Sequence, residues 1–159
     1  MTQRTRPVQI LLIEDSPADI DLTLESLAEA RVANRVHTVM DGEAALDFLF
    51  RRGPYIDAPQ PDLILLDLNL PRKDGREVLA EIKAHRDLKH IPVLVLTSSN
   101  SERDVLASYR LQANSYITKP IGLQAFQQLM KALEYYWLES AALPQKSADA
   151  GIPWPPPKR

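Results

Sequence analysis

Short apolar runs alternate with longer amphipathic segments along the chain. An uninterrupted apolar run of about four to eight residues is typical of a strand buried on both faces, and apolar positions that recur at helical spacing predict a helix. The predicted strands lie at 8–13, 35–40, 62–67, 91–97 and 114–119. The predicted helices follow them, at 16–32, 41–52, 75–87, 101–112 and 122–140.

This alternation predicts an α/β fold, a doubly wound five-stranded parallel sheet with helices on both faces. The first strand-to-helix turn reads IEDSPAD and lacks the glycine-rich fingerprint of dinucleotide-binding folds. We therefore predict the other common doubly wound strand order, the flavodoxin-like 2-1-3-4-5. Ser16, Asp41 and Ser101 stand at the starts of three predicted helices and are expected to be N-caps.

The composition narrows the class of protein. The 159 residues are 45% hydrophobic and 25% charged, which suits one globular domain. We expect an N-terminal extension at 1–7, the domain at 8–143 and a flexible proline-rich tail at 144–159. The net charge of −2 gives no large basic surface, so we expect no nucleic-acid partner.

The sequence lacks membrane spans and cysteine, and both absences bear on the cellular location of the protein. No apolar stretch reaches the length of a membrane span, and the polar N-terminus does not look like a signal peptide, so we expect no membrane partner. The chain has no cysteine, which excludes disulfides, thiol nucleophiles and cysteine-ligated zinc. These features fit a cytoplasmic protein.

Polar residues stand where four of the predicted strands end: Glu14, Asp15, Asp67, Thr97 and Lys119. Because the carboxyl ends of parallel strands meet at one edge of the sheet, we expect these side chains to converge. Neighbouring carboxylates repel one another and favour a hard cation such as Mg²⁺. A hydroxyl and an ammonium group suit phosphoryl oxygens. The set therefore predicts phosphoryl transfer onto a carboxylate.

Each of these residues also has a simpler interpretation. Asp15 can belong to the cap of the first helix, and Asp67 can be an ordinary strand-end residue. Thr97 can be a plain strand residue, and Lys119, just before Pro120, can be a solvated lysine. Their joint occurrence at successive strand ends is what favours a functional site.

The motifs LLIEDSPAD, PDLILLDLNLPRKDG, VLVLTSS and SYITKP occur in this order. Over about residues 8–138 they resemble the motifs of response-regulator receiver domains, the phosphoacceptor half of two-component signalling. The resemblance implies that Asp67 accepts a phosphoryl group from a phosphohistidine on a sensor histidine kinase, and that Thr97 and Lys119 bind phosphoryl oxygens. It also implies a Mg²⁺ ion held by Glu14, Asp15, Asp67 and the backbone carbonyl of Asn69.

The same resemblance implies conformational features. Thr97 would be drawn toward a bound phosphoryl group, and Tyr116 would turn inward to fill the space that opens. The alternative for Tyr116 is a plain, half-exposed strand aromatic. Pro120 would follow a cis peptide bond. Since only about twenty residues follow the last predicted helix, we expect the output to be a change of partner or of oligomeric state rather than the action of an output domain.

One segment, residues 48–75 with the sequence FLFRRGPYIDAPQPDLILLDLNLPRKDG, indicates a narrower group within this family. It resembles the small single-domain regulators that pair with cyanobacterial and bacterial phytochromes. This implies a phytochrome-type histidine kinase as partner, and a homodimer. The last predicted helix carries an aromatic stripe, most of which we assign to the core. We expect Phe126, Tyr136 and Trp137 to contribute to the dimer interface.

Two other functions remain open on the sequence. A pseudo-receiver, an adaptor that is never phosphorylated, would share the fold, although the complete set of polar strand-end residues argues against it. A phosphoaspartyl phosphatase of the haloacid dehalogenase type would also use a strand-end aspartate and Mg²⁺. Such an enzyme needs an acid two residues after its nucleophile, where this chain has Asn69. The chain is accordingly predicted to be a signalling protein and not an enzyme.

Overall fold

The computed structural model describes residues 6–99 and 101–144 of the chain. The strands are β1 Val8–Ile13, β2 Asn34–Val39, β3 Leu63–Leu66, β4 Val93–Thr97 and β5 Ser115–Thr118. They form a parallel sheet in the order β2-β1-β3-β4-β5. The predicted fold class and strand order are confirmed.

A helix follows each strand, and these helices are α1 Pro17–Ala28, α2 Gly42–Leu49, α3 Gly75–Ala84, α4 Glu102–Arg110 and α5 Leu123–Leu133. A short 3₁₀ helix, Gly53–Tyr55, precedes β3, and a π-helix, Glu134–Ser140, continues α5. The three predicted N-caps are present. Ser16, Asp41 and Ser101 each accept a hydrogen bond from the backbone N–H three residues later, at 3.4, 2.7 and 3.0 Å.

Several helices end earlier than the apolar pattern predicts, including α1, which ends at Ala28 and not near residue 32. For α2 and α3 the backbone shows the cause. α2 stops at Leu49 and not near residue 52, because Arg51 takes a left-handed conformation with a φ of 55°. α3 stops at Ala84 because His85 is extended, with a ψ of 128°. In both cases a backbone rotation that apolar spacing does not encode ends the helix.

The sheet separates two apolar clusters. Leu11 and Ile13 belong to a cluster shared with side chains of α2 and α3. Ile10 and Leu12 belong to a second cluster, shared with side chains of α1 and α5. Successive strand residues point to opposite faces of a sheet, so the continuous apolar run of β1 supplies both clusters.

The last helix differs from the prediction in two ways. Phe126 is only 4% exposed and lies in the second cluster with Met130, so its side chain belongs to the core of the chain, and its contribution to a dimer interface stays a prediction. Beyond Leu133 the backbone becomes a π-helix instead of continuing as an α-helix. Within it, Leu138 packs into the second cluster, whereas Tyr136 is 59% exposed.

The two ends of the chain lie largely outside the described residues. The predicted N-terminal extension is represented by Arg6 and Pro7, and the predicted proline-rich tail by Pro144, so both boundaries stay predictions. Arg6 donates through both terminal nitrogens to the carboxylate of Asp62, at 3.1 and 3.0 Å. Asp62 is 4% exposed, so this charged pairing satisfies a buried carboxylate. No helix within the described ranges is long and apolar enough to cross a membrane.

Gly75 begins α3 directly against the backbone that follows β3. A Cβ atom at this position would lie 2.4 Å from the carbonyl oxygen of Asp67 and 2.6 Å from the Cα of Leu68. The N–H of Gly75 also donates to the Leu68 carbonyl at 2.9 Å. A residue without a side chain is therefore needed for α3 to approach the carboxyl end of β3 this closely.

We expect Gly75→Ala to lower the free energy of unfolding by about 1–3 kcal/mol, because the added methyl group must displace the backbone at Asp67. Urea denaturation followed by circular dichroism measures this change. The matched control is Glu77→Ala, an exposed position on the same helix, where a change within about 0.5 kcal/mol is expected. Equal unfolding midpoints for Gly75→Ala and the wild type would contradict this account.

Candidate functional site

The carboxyl edge of the sheet gathers the polar residues that follow the strands. Glu14 and Asp15 come directly after β1, and Asp67 comes directly after β3. Thr97 is the last residue of β4, and Lys119 comes directly after β5. Since β1, β3 and β4 are neighbours in the sheet, their ends lie side by side. The structure thus brings together all five residues that the sequence places at this edge.

Lys119 is the centre of this group. Its ammonium nitrogen donates to Glu14 at 2.5 Å, to Asp19 at 2.8 Å and to Asp67 at 2.9 Å. The side chain of Lys119 is only 9% exposed, and those of Glu14 and Asp67 are 4% and 7% exposed. Carboxylates shielded from water in this way would repel one another strongly without the cation between them. One buried ammonium group therefore holds the acidic edge together.

The carboxylate of Asp67 is held by hydrogen bonds at both oxygens. Its Oδ1 accepts from the backbone N–H of Asn69 at 3.0 Å and from the hydroxyl of Thr97 at 2.9 Å. Its Oδ2 accepts from Lys119. Thr97 is fully buried, so its hydroxyl proton is committed to this contact. The arrangement fixes the orientation of a charged carboxylate at the tip of a buried strand.

The environment separates the proton affinities of the two buried acids. Burial raises the pKa of Glu14 to about 7, and the negative charge of Asp67 adds to this effect despite the hydrogen bond from Lys119. Burial also acts to raise the pKa of Asp67, but the donors Asn69, Lys119 and Thr97 outweigh it and hold that pKa below its usual value. Near neutral pH, Asp67 is therefore ionised while Glu14 is partly protonated.

The pKa of Lys119 moves in the opposite sense to simple burial. Desolvation alone would lower it, but hydrogen bonds to Asp19, Glu14 and Asp67 raise it above its usual value. Lys119 is consequently a permanent cation. It remains charged throughout the pH range in which Glu14 titrates.

The acidic residues have the chemistry of a site for a divalent cation. One oxygen of each of Glu14, Asp15 and Asp67 lies within 4.8 Å of the others. Oxygen ligands of this kind suit hard cations, which carry the charge needed to offset several carboxylates. Asp15 is more exposed than the other two, so the group opens toward solvent. Asn69 is also exposed, and the predicted use of its backbone carbonyl as a ligand stays a prediction.

Tyr116 lies in the middle of β5 and packs against the first apolar cluster. Its hydroxyl donates to the carbonyl of Ser99 at 2.8 Å, two residues beyond Thr97. Tyr116 is therefore partly buried and turned toward the β4 side, rather than free on the surface. The predicted switching role of Tyr116 and the predicted cis bond before Pro120 both stay predictions.

Sequence reasoning missed one member of the group. Asp19, in the first turn of α1, was not predicted as a site residue, yet it accepts a hydrogen bond from Lys119. The available signal was its position three residues after the N-cap Ser16, on the turn of α1 nearest the carboxyl edge. Of the predicted interface residues, Tyr136 and Trp137 lie in the π-helix, with their rings edge to face at 5.3 Å between centroids.

Known proteins are similar to this chain in both sequence and fold. The sequence model of the response regulator receiver domain family matches residues 10–134. The chain is 51% identical to the response regulator Rcp1 of Synechocystis sp., over 87% of this chain and 94% of that protein. The crystal structure of the Mn²⁺-bound form of Rcp1 aligns with a TM-score of 0.86 at 50% identity, covering 87% of this chain and all of that one.

A second solved structure bears on the resemblance to regulators that pair with phytochromes. The phosphorylated cyanobacterial phytochrome response regulator RcpA aligns with a TM-score of 0.86 at 51% identity, covering 88% of this chain and 100% of that one. The predicted similarity to regulators associated with phytochromes is thereby confirmed. The family model matches most of the chain, and the strand order and the acidic edge agree with it. The chain therefore belongs to the response regulator receiver domain family.

Proposed function

We propose that this protein is a phosphoacceptor of two-component signalling, in which Asp67 takes a phosphoryl group from a phosphohistidine on a sensor histidine kinase. The observation that carries the proposal is the setting of Asp67: three donors orient its two oxygens beside Glu14 and Asp15. Buried acids are rare unless they are paired, and an ordinary strand-end aspartate would be solvated. The phosphorylated relative RcpA supports the same assignment.

The chain's own residues divide the work of transfer. An oxygen of Asp67 bonds to phosphorus while the bond between phosphorus and the histidine nitrogen breaks, and the imidazole keeps that electron pair and takes up a proton. The lowered pKa keeps Asp67 ionised for this attack. Lys119 and Thr97, which already contact Asp67, are placed to bind phosphoryl oxygens. The transferred group adds about 1.5–2 negative charges, which Lys119 partly offsets.

Mg²⁺ is the proposed cofactor. Glu14, Asp15, Asp67 and the backbone carbonyl of Asn69 would hold it. When bound, the ion would neutralise charge on the phosphoryl oxygens and orient them. The acidic cluster and the Mn²⁺-bound structure of Rcp1 support a divalent ion here, and Mg²⁺ suits a site made of carboxylates and a phosphate group.

The proposed route of the signal begins at Thr97. Its hydroxyl has a single proton, which it now donates to Asp67. A phosphoryl oxygen on Asp67 would take over that proton and draw Thr97 toward it. The hydroxyl of Tyr116 donates to the carbonyl of Ser99, which lies two residues after Thr97. A shift of Thr97 and Ser99 would therefore change the position of Tyr116. We propose Thr97 and Tyr116 as the switch pair on this basis.

The proposed partners are a phytochrome-type histidine kinase and a second copy of the chain. The identity to Rcp1 and the similarity to the phytochrome response regulator RcpA support the kinase. For the homodimer, the support is a pair of exposed aromatics in the π-helix, where Tyr135 and Tyr136 are 66% and 59% exposed. Tyrosine and tryptophan are enriched at protein interfaces, and Trp137 lies beside them. Output would then follow from a change in dimerisation or in partner binding.

Incubation with Mg²⁺ and acetyl phosphate is expected to add one phosphoryl group to the wild type and none to Asp67→Asn. The amide of asparagine keeps the shape of the carboxylate but cannot form an acyl phosphate. Intact-protein mass spectrometry measures the adduct, which should survive acid and be lost in base. If the wild type takes up no phosphoryl group from acetyl phosphate or from a phosphorylated histidine kinase, the protein is a pseudo-receiver and the proposal fails.

Mg²⁺ affinity is expected to fall as the pH is lowered through about 7. Glu14, with a pKa of about 7, gains a proton below that pH and ceases to attract the cation. At pH 6 the affinity should be about tenfold lower than at pH 8, since metal ligands must be deprotonated. Isothermal titration calorimetry at both pH values measures this.

Glu14→Gln should bind Mg²⁺ more weakly at pH 8 and show little difference between the two pH values. The control is Glu43→Gln, an exposed acid on α2 whose loss should leave the pH dependence as in the wild type. An equal wild-type affinity at pH 6 and pH 8 would contradict a titration of Glu14 near pH 7, and an unchanged affinity of Glu14→Gln at pH 8 would show that Glu14 is not part of the cation site.

Tyr136→Ser is expected to weaken the homodimer about tenfold or more, because central tyrosines carry much of the binding energy of an interface. Sedimentation velocity across the micromolar range measures the dimer. Tyr136 is preferable to Trp137, whose ring also packs against the second apolar cluster. The control is Ile56→Ser, a 70% exposed apolar residue outside the π-helix. A wild type that is monomeric throughout that range would rule out the proposed dimer.

A further inference from the structure

Two lysines of this chain each donate three hydrogen bonds, at opposite ends of the sheet. Lys119 at the carboxyl edge donates to three carboxylates. Lys83, near the end of α3, donates through its Nζ to the backbone carbonyls of Lys89 and Ile91 at 3.2 and 2.9 Å. Its third partner is Oδ1 of Asn114 at 3.1 Å. The three oxygens around Lys83 are all neutral, so the two lysines lie in opposite electrostatic settings.

No carboxylate offsets the charge of Lys83. Within residues 6–99 and 101–144, its ammonium group forms no ion pair. An ammonium group that is taken out of water without a countercharge favours its neutral form. Burial accordingly lowers the pKa of Lys83 from its usual 10.5 to about 8. Near pH 8 a large fraction of Lys83 is therefore a neutral amine, whereas an exposed lysine is almost entirely charged.

The amine of Lys83 can be reached from solvent. Its side chain is half-buried, and its hydrogen bonds to Lys89 and Asn114 lie at the surface. A neutral amine has only two protons to donate, so loss of the third proton releases one of the three contacts and frees the lone pair of the nitrogen. The contact with the Lys89 carbonyl is the longest of the three and is exposed, so we expect it to be the one released.

The charges beside the amine favour an anionic reagent. Arg86 and Lys89 are exposed on the segment that follows α3, and the carbonyl of Lys89 contacts the amine itself. Asp87 is the one acid of that segment. Burial and the charge of Lys83 lower the pKa of the neighbouring His90, while the charge of Asp87 acts to raise it. Two exposed cations against one acid attract small anions to this end of the domain.

We propose that Lys83 is a site of acylation by acyl phosphates, small anions whose carbonyl carbon carries a phosphate leaving group. In the reaction the nitrogen of Lys83 bonds to the carbonyl carbon, and the bond from that carbon to the phosphate oxygen breaks. Inorganic phosphate leaves with the electron pair and takes up the proton that the nitrogen loses. Desolvated lysines act as nucleophiles because their neutral form is populated, and lysine is a common target of acetylation.

Acylation would change the contacts at the amino ends of β4 and β5. The amide product is neutral and keeps one N–H, so it can satisfy at most one of the three oxygens that now accept from Lys83. Asn114 would still accept from the backbone N–H of Val93, at 2.9 Å. The carbonyls of Lys89 and Ile91, in the connection that leads into β4, have no such second donor from Lys83. The modification therefore weakens the attachment of this connection to α3.

The test incubates the wild type with acetyl phosphate at pH 8 and maps the acetylated lysines by mass spectrometry of proteolytic fragments. The initial rate at Lys83 should exceed that at the exposed Lys131 by about tenfold or more, because the larger neutral fraction outweighs the lower basicity of the amine. Lys119, as a permanent cation, should stay unmodified. Equal rates at Lys83 and Lys131, or no adduct on Lys83, would overturn the proposal.

The pH dependence of the rate gives a second readout on the wild type. Acetylation of Lys83 should level off above about pH 8, where the amine is already neutral. Acetylation of Lys131 should keep rising to about pH 10, as for an ordinary lysine. A rate at Lys83 that rises in parallel with that at Lys131 would show that the amine has no special reactivity and would overturn the proposal.

One substitution tests the neutral surroundings directly. Asn114→Asp keeps the oxygen that Lys83 and Val93 contact but places a carboxylate against the amine. Because an opposite charge stabilises the ammonium form, acetylation of Lys83 should fall about tenfold. The matched control is Gln128→Glu, which adds the same charge at an exposed position on α5 and should leave the rate unchanged. An unchanged rate in a folded Asn114→Asp would overturn the proposal, and the wild-type pH dependence decides it if that variant does not fold.

The proposal is independent of the proposed function, and the outcomes keep the two apart. Asp67→Asn should be acetylated on Lys83 at the wild-type rate, because the two residues lie at opposite ends of the sheet. The acetyl adduct survives base, whereas an aspartyl phosphate is lost, so the two adducts are counted separately. Phosphorylation of Asp67 without preferential acetylation of Lys83 would overturn this proposal alone. Preferential acetylation of Lys83 in a chain that takes up no phosphoryl group would overturn only the proposed function.

Discussion

The acidic edge of this domain depends on one buried ammonium group. Lys119 contacts three carboxylates at once, and two of these belong to side chains that are almost completely shielded from water. Removing one partner from such a group leaves an uncompensated buried charge, which costs far more than a surface ion pair contributes. The connection between β1 and α1, the end of β3 and the end of β5 are therefore electrostatically dependent on one another, although they come from three different parts of the chain.

Much of this arrangement could be predicted from the sequence because strand ends are well marked. An apolar run that stops at a carboxylate, as at Asp67, shows both the strand and the residue it presents. The parallel order then brings Glu14, Asp15, Thr97 and Lys119 to the same edge without any knowledge of side-chain geometry. N-caps such as Ser16 and Asp41 could also be predicted from the sequence, because their role depends on local chemistry alone.

The features that the sequence could not supply depend on contacts between distant segments. Asp19 satisfies the local rule for a first helical turn, so nothing in its neighbourhood shows that it also binds Lys119. Phe126 belongs to an aromatic stripe, and spacing alone did not show that it faces the sheet. The π-helix after Leu133 is a local change in winding that apolar periodicity does not register. Arg76 on α3 donates to Asp104 on α4 at 3.0 Å, and this contact joins two helices that the sequence predicts only separately.

The complete burial of β3 and β4 has a mechanical consequence. Every residue of these two strands is buried, from Leu63 to Leu66 and from Val93 to Thr97. Close-packed interiors have low compressibility, so a displacement at the end of such a strand is not absorbed along its length. These two strands are therefore expected to deform little, because both of their faces pack against a layer of helices. A force applied to Asp67 or Thr97 can accordingly be relieved only in the loops beyond their carboxyl ends, and these loops set the direction in which the domain can change shape.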